Sequence, residues 1–516
     1  MSLRYSSAGQ LERLCIENFN QYVMGVVKEL REVYGLHTPL TDPCIQTVLQ
    51  DLHKYLLENS YPSLVDELLE SVDAQRVGER ARQMLLEVYM HDGMVRFNPT
   101  FRAINPSPPT FYEDKISKMV NLVALNLKMV ATDELLRVVG ENCPNLQLID
   151  IISKMGTMQT ISSINALKLE FFVSDEGLRC LRPLKKLRRI IMRKIVGSNC
   201  GGKLVTYEGI RDLVMSLPKL EYIRYNNMGY VVGGTDCSAM VGGFFPNGET
   251  HFNLRHLHDD HASVDHIEKI EMLCPKLTTL CLYVPPTPGH NTKETAEKCL
   301  ERLSTSTLNL HAVSLRAFPC GDEFYRFCSL KGEFLRHLKM HTIVEMSVKS
   351  LLQIGKHCPN IISLDFITST TLAESSRLEY EEHQGKYFQK LEHLTVIGQN
   401  TDLEAILSIC TYNASYLETL QIMNYGFIKA ARSALLKLME RNKLQYLQSF
   451  VSYGFEFNLD HLTKFLVGTT SLERVAITEG EPYAEYLTDV KLRHNLKYRV
   501  TDAIPTRTCC HCFDFT

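Results

Sequence analysis

This sequence of 516 residues lacks an excess of charge of one sign: 56 Lys and Arg stand against 59 Asp and Glu, for a net charge of −3. Nothing in that balance draws the chain to nucleic acid or to an anionic membrane, so neither is expected as a partner. It lacks an uncharged apolar run long enough to span a bilayer. Its first residues, MSLRYSSAGQLERLC, lack the apolar core of a secretory signal. The expected location is therefore the cytosol, the nucleus or both, where thiols stay reduced. A nucleophile with a partnered base, a pair of acids and a metal-ligand cluster are all missing too, since His, Asp and Glu lie scattered. No enzymatic chemistry, cofactor or metal is assigned to the chain on this basis. Tryptophan is absent altogether.

What is present is a large apolar fraction, 45% of residues, with sixteen cysteines. Many of those cysteines fall at recurrent apolar positions, where a free thiol packs as a small hydrophobe. From about residue 120 a pattern recurs: a helical stretch ends in Cys-Pro or Leu-Pro and is followed by Leu-x-x-Leu-x-Leu. The plainest copies are CPNLQLIDI (143–151), LPKLEYIRY (217–225), CPKLTTLCL (274–282) and CPNIISLDF (358–366). Looser ones begin at Asn121, Pro183, Phe334, Lys390, Tyr416 and Ser471. Leu335, Ile361, Leu391, Leu417, Leu444 and Leu472 succeed one another at intervals of 26 to 30 residues, the period of leucine-rich repeats.

One unit shows the physics. Val348, Leu351, Leu352 and Ile354 form a helical stripe; His357 and Cys358 end it, and Pro359 cannot continue it. Ile362, Leu364 and Phe366 then alternate with Ser363 and Asp365, as in a half-exposed strand. A single unit cannot cover its own apolar faces, so units must stack into a solenoid. The expected fold class is α/β, a leucine-rich repeat solenoid or horseshoe over residues 115–500. An all-α module precedes it over residues 1–110, and a flexible Cys-rich tail, 501–516, follows it. The repeats resemble the cysteine-containing class found in many ubiquitin-ligase receptors, and strand positions such as Ser363 and Asp365 are candidate contacts on the exposed face.

Several segments stand out against the rhythm. GSNCGGKL (197–204) spaces Gly197 and Gly202-Lys203 like a phosphate-cradling loop, but Leu204 replaces the hydroxyl residue that would hold magnesium. The glycine-rich NNMGYVVGGTDCSAMVGGFFPNG (226–248) reads as an inserted loop at a strand end. HLHDDHASVDH (256–266) has metal-ligating residue types but reads as a solvated loop before the next repeat, and EYEEHQGK (379–386) is a charged run. In the tail, Cys509, Cys510, His511 and Cys512 are too close together to converge on one tetrahedral zinc.

The N-terminal module opens with QLERLCIENFNQYV (10–23), where Leu11, Cys15 and Phe19 share one side of a helix with Leu14 and Val23 alongside. In the form Leu-x3-Cys-x3-Phe this stripe resembles the BC box of elongin C-binding receptors. Farther on, Tyr61-Pro62 with Val65 and Leu69 resembles a cullin 2 box, and Pro62 suits a helical first turn. A BC box, a cullin box and then leucine-rich repeats is the order seen in the zyg-eleven-related receptors of cullin 2 ubiquitin ligases. The resemblance implies a non-catalytic receptor in which Leu11, Cys15 and Phe19 enter elongin C of the elongin B/C adaptor. It implies that Pro62, Val65 and Leu69 face cullin 2, and that the repeats hold an unknown protein substrate. Leucine-rich units continue to about residue 500, where that family turns to armadillo repeats, so its substrate preference does not transfer. Two alternatives stand beside this reading. In one, residues 61–89 form a degenerate F-box of an SCF receptor, although no tryptophan fills its late position. In the other, the chain is an interaction scaffold whose N-terminal helices only cap the repeats.

Overall fold

The recurring Cys-Pro or Leu-Pro turn marks where a helix stops and a parallel strand begins, and the structure, a computed structural model, repeats that step along the chain. It describes residues 3–35, 38–71, 79–98, 110–127, 130–151, 173–192, 205–225, 227–233, 251–286, 291–343, 348–368, 387–398, 403–424, 429–430, 435, 438–439, 444–478 and 481–501. These pack as two compact units, one within Met1–Asn226 and Gly234–Leu254, the other within Asn227–Gly233 and Arg255–Thr516.

The first unit holds α1 (Leu3–Tyr34), α2 (Pro43–Asn59), α3 (Pro62–Ser71) and α4 (Glu79–Tyr89), then the parallel strands β1 (Arg96–Phe97), β2 (Ala124–Asn126), β3 (Leu148–Ile151), β4 (Arg189–Met192) and β5 (Tyr222–Arg224). Register aligns Phe97, Leu125, Ile149, Ile190 and Ile223 as one buried row. The repeat helices between the strands start on hydroxyl caps, with Thr132, Ser174 and Thr206 accepting from the amides of Leu135, Glu176 and Gly209. Two of these repeats also hold the next one's cap. Asp133 accepts from the Ser174 amide at 2.7 Å and from its hydroxyl, and Asp175 does the same for Thr206 at 2.8 and 2.7 Å. A Cβ on Gly177 or Gly209 would collide with these same carboxylates, which explains the glycine in both SDEGL and TYEGI.

The second unit continues the step with β6 (His256–Asp259), β7 (Thr279–Tyr283), β8 (Ala312–Arg316), β9 (His337–Ile343), β10 (Ser363–Thr368), β11 (His393–Gly398), β12 (Thr419–Asn424), β14 (Ser449–Tyr453), β16 (Arg474–Thr478) and β17 (Arg499–Val500), all parallel. A separate pair, β13 (Lys429–Ala430) and β15 (Phe455–Glu456), lies beyond two of the strand ends. Leu257, Leu280, Val313, Leu338, Leu364, Leu394, Leu420, Phe450 and Val475 form one register row, each wholly buried. Burial of each such side chain contributes about 1.5–3 kcal/mol. The expected α/β leucine-rich repeat fold is therefore the observed one. Strands β1, β6 and β8 are further units, whose preceding turns carry no Cys-Pro.

The four N-terminal helices do more than precede the solenoid. α1 and α2 both pack on α3 and α4, and α3 packs on β1. A buried polar knot ties the helices together: the Asn20 amide donates to Leu68 O at 3.1 Å and Ser71 Oγ at 2.8 Å, and accepts from the Tyr89 hydroxyl at 2.7 Å. Burial holds that hydroxyl well above the usual phenol range. At the sheet edge, buried Asp66 of α3 accepts from the amides of Val95 and Arg96 at 3.1 and 2.9 Å and lies 3.4 Å from His91 Nε2. The boundary expected between residues 110 and 115 therefore falls inside one packed unit, because the sheet already starts at Arg96. The tail expected over residues 501–516 lies outside the described residues, apart from Thr501.

Asp66→Ala strips the partner from two edge amides and from His91, so the full chain should lose roughly 2–4 kcal/mol, read from its urea unfolding curve. A change within 0.5 kcal/mol would contradict the edge-closing role.

Candidate docking surfaces

α1 carries two apolar stripes, and the protein uses one of them itself. Asn20, Val23, Val27 and Leu30 are buried against the chain, whereas Cys15 is exposed and Phe19 half-buried. Tyr22, 60% exposed, sits beside Phe19 with ring centroids 6.3 Å apart. Leu11 lies in the same helix, but its side chain is outside the described residues. The polar knot at Asn20 fixes the helix's rotation: with Asn20 turned inward, Cys15 is carried to the solvent side.

The expected cullin-facing set divides differently. Val65 and Leu69 are 0% exposed, packed in the module's own core, while Pro62 is exposed and Tyr61 is 81% exposed. This corrects the expectation that Val65 and Leu69 face a partner: their four-residue spacing reports burial within the chain. Tyr61 and Pro62 are the exposed residues of that segment.

Other expectations also change. His256 to Asp259 form buried strand β6, not a solvated loop. Asp259 Oδ2 lies 2.9 Å from His266 Nδ1, His258 Nε2 lies 2.7 Å from Asp260 Oδ1, and His261 Nδ1 lies 3.2 Å from Asn227 Oδ1. Tyr230 meets both His261 and His266 by ring contact. These pairings fasten the short helix Met228–Gly233, whose Met228, Val231 and Val232 are buried, so the start of the expected insertion is core. The segments 197–204, 234–248 and 379–386, and the cysteines and histidine at 509–512, lie outside the described residues.

The described thiols behave as packing groups apart from exposed Cys15 and Cys44 and half-buried Cys180. Burial pushes the Cys143 thiol up to about 11 and the Cys299 thiol up to about 12, so neither is an activated nucleophile at neutral pH. Among the described residues one group, Glu392, His393 and Glu418, brings three ligand-type atoms within 4.8 Å of one another. Glu221 and Glu473 occupy the same place just before their strands, so these carboxylates follow from the repeat register. Among the described residues no helix is long and apolar enough to cross a membrane.

By its geometry the chain is a leucine-rich repeat protein. No family model matches it, and no curated protein matches it in sequence. Among solved structures it is similar to a leucine-rich repeat protein of Leptospira interrogans, at 12% identity over 75% of this chain and 92% of that one, with a TM-score of 0.33. It is also similar to a structure of the Rad7 and Elc1 complex in yeast, at 10% identity over 96% of this chain and 99% of that one, with a TM-score of 0.39. Likeness at those scores carries no argument, and the fold rests on the strand register above.

Leu69→Ala should cost about 2–5 kcal/mol of stability, the penalty of a core cavity. Tyr61→Ala should stay within about 0.5 kcal/mol. Urea unfolding of the two variants side by side tests the division, and equal losses would refute it.

Proposed function

We propose that this chain is a non-catalytic substrate receptor of a cullin-RING ubiquitin ligase, recruited through elongin B/C. The observation that carries the reading is the exposure of Cys15, with Phe19 half-buried and Tyr22 exposed beside it, on a helix whose opposite stripe already satisfies the chain's own core. An amphipathic helix with a second apolar stripe left at the surface fits the helix-in-groove mode of recognition. Leu11, Cys15 and Phe19 are the residues that would enter elongin C. Cullin 2 follows from the resemblance of the N-terminal boxes. Its contact is placed on Tyr61 and Pro62, since Val65 and Leu69 are spent on the core. The repeats hold the protein substrate, and the complex works in the cytosol or nucleus.

The capping alternative becomes part of the same picture. Asp66 and the buried face of α3 close the sheet edge, while the outer side of α1 is left for a partner, so capping and docking use different surfaces.

Co-expression with elongin B and C should give a stable complex. Leu11→Ser combined with Cys15→Asp should weaken it at least about tenfold, or ~1.4 kcal/mol, without moving the urea midpoint. Alkylation of Cys15, followed by mass spectrometry, should slow by a similar factor in the complex. No complex, or one indifferent to the double variant, would sink the proposal. Capture of the SCF adaptor in place of elongin C would transfer the chain to the F-box class.

A further inference from the structure

Strands β11 and β12 each begin just after a Leu-Glu step, and the ladder brings those two glutamates together. The amides of Glu392 and His393 both donate to Ile362 O, at 2.8 and 3.0 Å, and those of Glu418 and Thr419 both donate to Glu392 O, at 2.7 and 2.9 Å. His393 is thereby set opposite Thr419, with Glu418 one strand away from Glu392. Leu391, Leu394, Leu417 and Leu420, all buried, anchor the backbone on either side. One carboxylate oxygen from each glutamate and one ring nitrogen of His393 lie within 4.8 Å of one another. All three residues are half-buried.

Register accounts for a glutamate at each of these places, but not for the grouping. At the same step in the first unit, Arg188 and Glu221 are neighbours and pair at 2.7 Å, opposite charges side by side. Here two carboxylates stand side by side, which weakens a sheet unless a positive group lies between them. The nearby lysines are committed elsewhere: Lys390 donates to Asn360 Oδ1 at 2.6 Å, and Lys339 lies 3.9 Å from Asp365. Among the described residues, none of the Glu392, His393 and Glu418 side chains is held by a hydrogen bond or ion pair of its own. Three ligand-type groups therefore converge with no protein partner to satisfy them.

We propose that Glu392, His393 and Glu418 bind a divalent transition-metal ion of the zinc type. Imidazole together with carboxylate suits such ions, whereas calcium and magnesium take oxygen ligands. A tetrahedral zinc with bonds of about 2.0–2.2 Å sets its ligand atoms about 3.3–3.6 Å apart. Rotation of the two flexible glutamate side chains closes the remaining gap while the strands stay fixed. Three protein ligands leave the fourth position to water. The ion offsets the like-charge pair and cross-links β11 to β12. The site stands independently of the receptor reading.

The test titrates cobalt(II), a spectroscopic stand-in for zinc, into the chelator-treated full chain carrying Cys509→Ser, Cys510→Ser and Cys512→Ser, which removes the soft ligands of the tail. One equivalent should bind with visible ligand-field absorption and without the near-ultraviolet charge-transfer band of a thiolate ligand, and zinc should displace it. Saturating zinc should raise the urea midpoint, as a ligand of the folded state does. His393→Gln and, separately, Glu392→Gln combined with Glu418→Gln should each weaken cobalt binding at least about tenfold. Both should abolish the zinc-dependent rise, with metal-free midpoints no lower than that of the unsubstituted chain. No bound equivalent, a spectrum showing thiolate ligation alone, or an affinity unchanged in the variants would each overturn the proposal. The first of these is the result if His393 merely neutralises the glutamates as an imidazolium.

Discussion

A parallel ladder is paired at every strand except its edges, and the first edge is where this protein departs from simple repetition. Among the described residues no strand precedes the two-residue β1, yet the amides of Val95 and Arg96 are paired. Asp66, reaching from α3, supplies the acceptor that a preceding strand would have given. Two amides and the adjoining His91 surround the carboxylate. Two later units borrow from their predecessors: Asp133 holds the cap residue Ser174, and Asp175 holds Thr206. The N-terminal helices thus solve once the problem that each repeat passes on to the next.

Closing the edge also decides which surface is left for others. α3 must face β1, so Val65 and Leu69 are drawn inward with Asp66. α1 packs across α3 through Asn20, whose amide reaches both Leu68 and Ser71. Those bonds have little rotational tolerance, and they fix the helix with Val23, Val27 and Leu30 inward. The exposure of Cys15 follows from a constraint located elsewhere: satisfaction of a buried amide, not any preference of the thiol.

This chain of dependence explains what could be read from the sequence. The repeat core was legible because Leu-x-x-Leu-x-Leu after Cys-Pro specifies both a helix stop and a period-two strand, and Leu364, Leu394 and Leu420 fall in the expected register. Strand β6 escaped because its histidines and aspartates disguise a fully buried strand as a polar loop. There Asp259 pairs with His266 and His258 with Asp260, and pairing is a three-dimensional property. The N-terminal stripes were visible as periodicity, but periodicity says only that a face is covered. It was the resemblance to the two boxes that assigned Cys15 and Val65 alike to partners; Asp66 and Asn20 sort them, and a single polar residue leaves no periodic trace.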